Sequence, residues 1–246
     1  MFTTNHFIWL SIAIVIIVGY QLINKFFKLS LDKNLTFLFA VCILSEIIKT
    51  AVNIEQGTGD KLGFYLDVSD LPFHLCSMQI FFVTAIKFFV KKEETRHTIL
   101  CFMFPTMLLG GAIALFIPTV GVSFTKVQVY QFFIFHSVIV AFAIYLITKK
   151  VIKLTFKSML TTFEILAMLV FAAMWINSAL NEYDANFFYL ARPPMDNLPI
   201  LNLNNGWFAY FFTLLGIALV LMVALQLPIV LYNRKKDKEN NITKQP

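Results

Sequence analysis

Charged residues are scarce in this chain. Asp, Glu, Lys and Arg make up 14% of its 246 residues, whereas a water-soluble domain contains about 25%. Apolar residues account for 59% and aromatic residues for 16%. This composition excludes an ordinary soluble domain and predicts an all-α, polytopic membrane protein.

Cysteine is rare as well. Cys42, Cys76 and Cys101 lie in apolar runs without the close spacing of a metal-binding knuckle, so we expect no disulfide, no metal site and no cofactor. The N-terminal segment lacks the basic region and small-residue cleavage site of a signal peptide, so its first apolar run is expected to remain as a helix.

Seven apolar runs are long enough to cross a bilayer, for which about 20 residues are needed. Charge, proline, glycine or asparagine separates each run from the next. The runs are 7–27, 35–53, 72–90, 98–117, 128–148, 158–180 and 207–232. We therefore predict a seven-helix transmembrane domain over residues 1–232, followed by a disordered basic cytoplasmic tail at 233–246.

Basic residues alternate between the connections and predict the orientation. Clusters of Lys and Arg follow the first, third, fifth and seventh runs, whereas the other connections hold one basic residue each: Lys61, Lys126 and Arg192. Because Lys and Arg accumulate on the cytoplasmic side, the N-terminus is predicted outside and the C-terminus inside. The same rule explains the net charge of +6 without a nucleic-acid partner. We expect a multi-pass protein of a bacterial plasma membrane.

Polar side chains occur in the outer half of four predicted helices. His74 opens the third helix, and His136 lies about eight residues, or ~12 Å, into the fifth. Glu46 and Lys49 lie near the outer end of the second helix, and Asn177 near that of the sixth. Such groups usually face the bundle interior, so a single outward-opening polar cavity is predicted.

Each of these residues also has an ordinary structural interpretation. Glu46 and Lys49 are three residues apart and can pair with each other, and a buried histidine is often a packing residue. On the predicted third helix, His74 and Ser77 share a face, whereas Cys76 lies about 200° around from His74. This favours Ser77 over Cys76 as a nucleophile activated by His74, while His136 and Ser137 on another helix remain open.

Three segments resemble a known family. Leu71 to Phe81 (LPFHLCSMQIF), Phe132 to His136 (FFIFH), and Asn186 to Leu190 (NFFYL) followed by Pro193 and Pro194 are similar to the bacterial YwaF-like integral membrane proteins. That family in turn resembles a vertebrate transmembrane acyltransferase of ether phospholipids and, more remotely, androgen-induced hydrolases of fatty-acid esters. The resemblance covers nearly all seven predicted helices.

The resemblance implies roles for several residues. His74 and His136 match the two membrane histidines, Glu46 with Lys49 approximates an acidic-basic pair, and residues 186–193, which include Asn186 and Arg192, match an outer-loop pattern. The vertebrate enzyme has a cysteine directly before its first histidine, where this chain has Phe73. A cysteine acyl-enzyme is therefore not carried over. A covalent intermediate needs Ser77, Cys76 or another hydroxyl, and direct transfer needs only a histidine base.

The leading hypothesis is a lipid acyltransferase or acyl-ester hydrolase with a membrane phospholipid as substrate. His136 is its general base, His74 orients the substrate, and the Asn177 amide holds an oxyanion. Glu46 and Lys49 fix a histidine tautomer or bind a headgroup, and Asn186 and Arg192 are further substrate-binding candidates. The alternative is a proton-coupled transporter or small-molecule receptor with the same outward-facing cavity. A third interpretation, in which the two histidines bind haem or a metal, has no supporting motif.

Overall fold

The computed structural model describes residues 2–56, 64–195 and 198–242. Lys61 and residues 243–246 therefore lie outside the described residues. Within them the chain folds into helices α1 (Thr4–Phe26), α2 (Leu31–Asn53), α3 (Gln79–Phe89), α4 (Glu93–Phe116), α5 (Val127–Thr148), α6 (Phe156–Ala179) and α7 (Gly206–Ile242). An antiparallel ladder pairs β1 (Glu55–Gln56) with β2 (Phe64–Tyr65). The all-α prediction is confirmed, with this two-residue ladder as an addition.

Local sequence determines where several helices begin. The Thr3 and Ser30 side chains accept hydrogen bonds from the backbone N–H groups of His6 and Lys33, so they cap α1 and α2. A reciprocal pair of bonds between Thr155 and Ser158 forms a capping box at the start of α6. These caps satisfy N–H groups that have no partner within the helix.

The third predicted span differs from its prediction. Six helices of the described chain are long and apolar enough to cross a membrane, but α3 is not. At about 1.5 Å per residue it is roughly 16 Å long, about half of a ~30 Å hydrocarbon core. Residues 72–78, predicted as its first two turns, form irregular turns instead. Pro72 has no N–H for a helical bond, and the Phe73 N–H bonds to the Leu71 carbonyl at 2.8 Å.

Helix α5 lies at the centre of the bundle and packs against α1, α2 and α4. Its residues 135–143 are buried without interruption. The tightest approach is to α4, where a Cβ atom on Gly111 would lie 2.6 Å from Val140 Cγ2 and 3.2 Å from the His136 carbonyl oxygen. Glycine is needed at this position because α4 and α5 pack almost backbone to backbone.

Side-chain bonds identify the two ends of the bundle. At the loop end, residues 180–205 connect α6 to α7, and the Trp207 indole N–H donates to the Leu190 carbonyl at 2.9 Å. At the opposite basic end, the Lys87 ammonium of α3 lies 3.2 Å from Asp32 in the first turn of α2. The Lys153 ammonium lies 2.7 Å from Asp237 of α7 at the same end. Helix α3 therefore reaches the basic end.

The last helix is longer than predicted. Residues 233–242, predicted as part of a disordered tail, continue α7. Lys and Glu are good helix formers, and Lys235 and Glu239 pair at the i, i+4 spacing at 4.0 Å. The Asn233 amide also donates to the Leu154 carbonyl at 3.0 Å, which attaches this part of α7 to the connection before α6.

Candidate functional site

The segment before α3 carries three of the predicted catalytic residues. His74, Cys76 and Ser77 are partly buried and lie in the irregular turns of residues 72–78. The Met78 N–H bonds to the His74 carbonyl at 2.8 Å, but the Gln79 N–H bonds to the Cys76 carbonyl at 3.2 Å. The first bond spans four residues and the second spans three, so this segment has no regular series of α-helical bonds. Because these residues are not on an α-helix, the predicted helical face that favoured Ser77 over Cys76 does not form.

The His74 ring packs against the loop that connects α6 to α7. Its centroid lies 5.4 Å from that of Phe187, edge to face, and 5.1 Å from that of Tyr189. The Lys49 ammonium of α2 lies within electrostatic range of the ring. Three separate parts of the chain therefore converge on this histidine at the loop end of the bundle.

Cys76 and Tyr189 are neighbours in the same cluster. A Cβ atom on Gly110 of α4 would lie 3.0 Å from the Cys76 sulfur, so the thiol packs directly on that helix. Burial raises the pKa of the Tyr189 phenol, the nearby Cys76 adds to the rise, and a hydrogen bond with the Thr119 side chain opposes it. Tyr189 therefore keeps its proton at neutral pH, since the ordinary pKa of tyrosine is already about 10.

The predicted acidic-basic pair forms an ion pair. Lys49 Nζ lies 2.6 Å from Glu46 Oε2, and the two side chains are 16% and 17% exposed. Asp70 lies beside this pair and accepts a hydrogen bond from the Asn53 amide at 2.6 Å. Burial raises the pKa of Asp70, and the Asn53 bond and the charge of Lys49 oppose that rise. The pair that the sequence predicts is thus part of a larger charged cluster.

His136 lies on α5 and is 7% exposed. Its Nδ1–H donates to the Phe132 carbonyl at 2.7 Å, so in the neutral ring Nε2 carries the free lone pair. The neighbouring Ser137 hydroxyl donates to the Phe133 carbonyl at 2.6 Å. No ring contact or hydrogen bond joins His136 to His74 among the described residues. Their segments nevertheless approach adjacent glycines of α4, since Cys76 faces Gly110 and the His136 carbonyl faces Gly111.

The three remaining predicted residues bond to the loop itself. The Asn177 amide donates to the Phe187 carbonyl at 3.0 Å and accepts from the Phe187 N–H at 2.8 Å. Asn186 bonds in the same way to backbone groups of Ala191 and Arg192. The Arg192 guanidinium forms a bidentate ion pair with Asp184. These bonds support a role in holding the loop, while the predicted contacts with substrate stay predictions.

Sequence reasoning did not single out Tyr189 as a site residue. Its φ is +56°, and that of the preceding Phe188 is +58°, a conformation that bulky side chains rarely adopt. The only sequence signal was the Asn186 to Leu190 pattern, because nothing in the residue types indicates a positive φ. The other two histidines bond to backbone: His6 Nε2 to the Leu115 carbonyl at 2.9 Å, and His97 Nε2 to the Lys153 N–H at 3.1 Å.

The described residues contain no group of three or more His, Cys, Asp or Glu side chains arranged to hold a metal ion. The polar groups of the loop end are instead an imidazole, a thiol, a phenol and an ion pair. These groups are suited to hydrogen bonding, proton transfer and nucleophilic attack.

The fold and this cluster define a class of protein: a multi-pass membrane protein with a polar site at one end of its helix bundle. A model of the TMEM164 family matches residues 1–226, and the chain belongs to that family. The match extends from the N-terminal residue into α7 and includes every candidate site residue. No curated protein and no solved structure matches the chain.

The Asn177 bonds generate a testable prediction. Replacing Asn177 by Ala leaves the N–H and the carbonyl of Phe187 without their partners, and each unsatisfied buried group costs about 1–3 kcal/mol. We expect hydrogen exchange at the Phe187 amide to accelerate at least about tenfold, the factor that 1.4 kcal/mol gives.

The matched control is Asn202→Ala. The Asn202 amide donates to the carbonyls of Leu198 and Pro199 at 3.4 Å and accepts from the Asn204 N–H at 3.1 Å. None of these bonds involves Phe187, so exchange at Phe187 is expected to stay at the wild-type rate. Unchanged protection of Phe187 in the Asn177→Ala protein would contradict the assignment of Asn177 as the residue that holds the loop.

Proposed function

We propose that this protein catalyses acyl-ester chemistry on membrane phospholipids at the loop end of its helix bundle. The observation that carries the proposal is the cluster around the non-helical segment 72–78, in which His74 contacts Tyr189 and Cys76 lies beside the same phenol. The resemblance to acyltransferases and ester hydrolases supports the same chemistry.

The backbone of segment 72–78 supports a site rather than a packing surface. Non-helical backbone at membrane depth occurs only where protein buries it or where it lines a water-containing cavity. This segment also carries the histidine, thiol and hydroxyl side chains of the site. A continuous helix would satisfy the backbone more simply, so the irregular turns are best explained by the side chains that they position.

In the reaction, Nε2 of His136 takes the proton of an acceptor hydroxyl, either on a lysophospholipid or on water. The deprotonated oxygen attacks the ester carbonyl carbon, and the bond from that carbon to the leaving oxygen breaks. The leaving alkoxide takes the proton back from the imidazolium, so protons balance. His74 orients the ester through its ring, which lies beside Phe187 and Tyr189. Transfer to a lipid hydroxyl gives an acyltransferase, and transfer to water gives a hydrolase.

Direct transfer is favoured over a covalent enzyme intermediate. The Cys76 sulfur packs against Gly110 and near the Tyr189 phenol, and neither is a base that would activate it at neutral pH. A histidine base acting on the acceptor requires no thiolate. In this scheme Cys76 and Ser77 shape the pocket in which the ester lies.

Lys49, Glu46 and Asp70 are suited to the headgroup. Lys49 lies four residues before the end of α2, about 6 Å along the helix axis, which is the depth of the headgroup region. The ammonium offers a point charge to a phosphate, while Glu46 and Asp70 offer acceptors to headgroup hydroxyl or ammonium groups. The ester linkage of the bound phospholipid then lies deeper in the bilayer than its headgroup, at the level of the histidines.

A transporter is the second candidate, and one observation favours it. Helix α3 is interrupted before Gln79 and ends in a π-helical turn at Ala85–Phe89. Discontinuous helices mark substrate sites in many transporters, and π-helical turns are frequent at functional sites. Uptake of a solute into proteoliposomes without any change in lipid composition would select this alternative.

We also propose seven crossings of a bacterial plasma membrane, with the N-terminus outside and the C-terminus inside. In this topology the short α3 and residues 72–78 together make the third crossing. Two contacts support this: His74 packs at the loop end, and Lys87 bonds at the basic end. The positive-inside rule puts the basic end in the cytoplasm.

The histidine roles predict the behaviour of alanine variants. In nanodiscs that contain a phospholipid with a deuterated acyl chain and an unlabelled lysophospholipid, mass spectrometry should detect transfer of the labelled chain by the wild-type protein. His136→Ala should reduce the rate by about 10²–10⁴-fold, the usual contribution of a general base. His74→Ala should also reduce it strongly.

The matched control is His97→Ala, which changes a histidine at the basic end that bonds to backbone. Its transfer rate should stay close to that of the wild type. Full activity of both the His74→Ala and His136→Ala proteins would refute the histidine mechanism.

The orientation predicts the accessibility of introduced thiols. Thr3→Cys should react with a membrane-impermeant maleimide on intact cells, because it lies outside, whereas Lys236→Cys should react only after permeabilisation. Labelling of Lys236→Cys on intact cells would reverse the proposed topology. The wild-type chain, with Cys42, Cys76 and Cys101 alone, gives the background.

A further inference from the structure

We infer that Tyr189 is a catalytic residue of the proposed reaction, in which its phenolic hydroxyl donates a hydrogen bond to the oxygen of the ester carbonyl as negative charge develops there. This inference rests on the proposed function and adds the oxyanion donor that the two histidines do not supply. Its basis is the convergence of a strained backbone, three supporting side chains and the groups that face the phenol.

The backbone at Tyr189 is strained at two consecutive residues. Phe188 has φ +58° and ψ +11°, and Tyr189 has φ +56°. For a residue other than glycine, such a conformation costs on the order of 1–3 kcal/mol, and it occurs preferentially at active sites and ligand clamps. Neither residue is Asn, Asp or Gly, the types that adopt it most easily. A packing loop has no need of two such residues in succession.

Three side chains from two helices hold this backbone in place. Asn177 of α6 bonds to both polar groups of Phe187 at 2.8 and 3.0 Å. From α7, the Tyr210 hydroxyl donates to the Tyr189 carbonyl and the Trp207 indole N–H donates to the Leu190 carbonyl. Tyr210 is 1% exposed, so its bond is sheltered from water. The surrounding structure therefore fixes the direction of Tyr189.

The fixed backbone directs the phenol towards the other reactive groups. Its ring lies 5.1 Å from that of His74. The Thr119 side chain beyond the end of α4 and the Cys76 thiol both lie close enough to the phenol to influence its pKa. The phenol is thus the point at which segment 72–78, the end of α4 and the α6–α7 loop meet.

The chemistry of a buried phenol fits an oxyanion donor. Burial and Cys76 raise the pKa of Tyr189, so the group is neutral at physiological pH and has a proton to donate. As the carbonyl oxygen gains charge in the tetrahedral state, the bond from the phenol strengthens, whereas it is weaker to the neutral ester. The proton stays on the phenol throughout.

Tyr189→Phe tests the inference because it removes the hydroxyl and keeps the ring against His74. Acyl transfer is measured in nanodiscs as a function of lysophospholipid concentration. Loss of one oxyanion donor typically lowers kcat about 10²–10³-fold, and we expect that loss with KM changed less than about threefold. A purely structural role would instead lower the thermal unfolding midpoint, which we expect to remain within a few degrees of that of the wild type.

The matched control is Tyr183→Phe in the same loop, where the side chain is 63% exposed; its kcat should equal that of the wild type. If the wild-type protein transfers acyl chains and Tyr189→Phe does so at an equal kcat, the inference is overturned while the proposed function stands. If the wild-type protein transfers no acyl chain, the proposed function fails and the inference falls with it.

Discussion

The structure depends on one constraint: backbone polar groups within a membrane must be bonded or enclosed by protein. Six long helices meet this requirement with their own hydrogen bonds. The chain between Leu71 and Gln79 forms irregular turns in place of a continuous helix. If this segment completes the proposed third crossing, other parts of the protein must cover it, and Phe187 and Tyr189 of the α6–α7 loop pack against its His74.

Several side chains bond to the backbone of the covering loop between Phe187 and Arg192. Asn186 and Asn177 use their amides to bond to loop backbone, while Trp207 and Tyr210 reach it from α7. Side chains from α6 and α7 therefore hold this part of the connection in place. A loop held in this way can keep a strained residue in one orientation, which is a requirement for transition-state stabilisation by a preorganised donor.

Much of the fold could be predicted from hydropathy alone. The prediction of 128–148 for the fifth span differs by one residue from α5, Val127–Thr148, because long apolar runs leave few alternatives in a bilayer. The third span was predicted from the same signal, but apolar composition does not distinguish turns around Pro72 from a helix. The helical extension at 233–242 was missed because charged, polar residues favour disorder unless contacts such as Lys153 with Asp237 hold them.

For the candidate site, the sequence predicted residues, whereas most of their contacts came from the structure. His74 and the Glu46–Lys49 pair were predicted because polar side chains are costly to bury in hydrocarbon. In the structure both lie at the loop end. Asn177 was predicted to contact substrate, yet its bonds go to Phe187, a pairing that only the tertiary structure reveals. Tyr189 was missed as a site residue for the same reason, since its importance lies in a backbone angle and in neighbours far away in sequence.

The most direct test of this account is whether segment 72–78 and the α6–α7 loop are in contact in the membrane. In a chain without its native cysteines, His74→Cys and Tyr189→Cys should be joined by a short thiol cross-linker, because the rings that they replace lie 5.1 Å apart. The pair His74→Cys with Tyr183→Cys serves as the control. Failure of the first pair to cross-link, although each thiol reacts with a monofunctional reagent, would contradict the account.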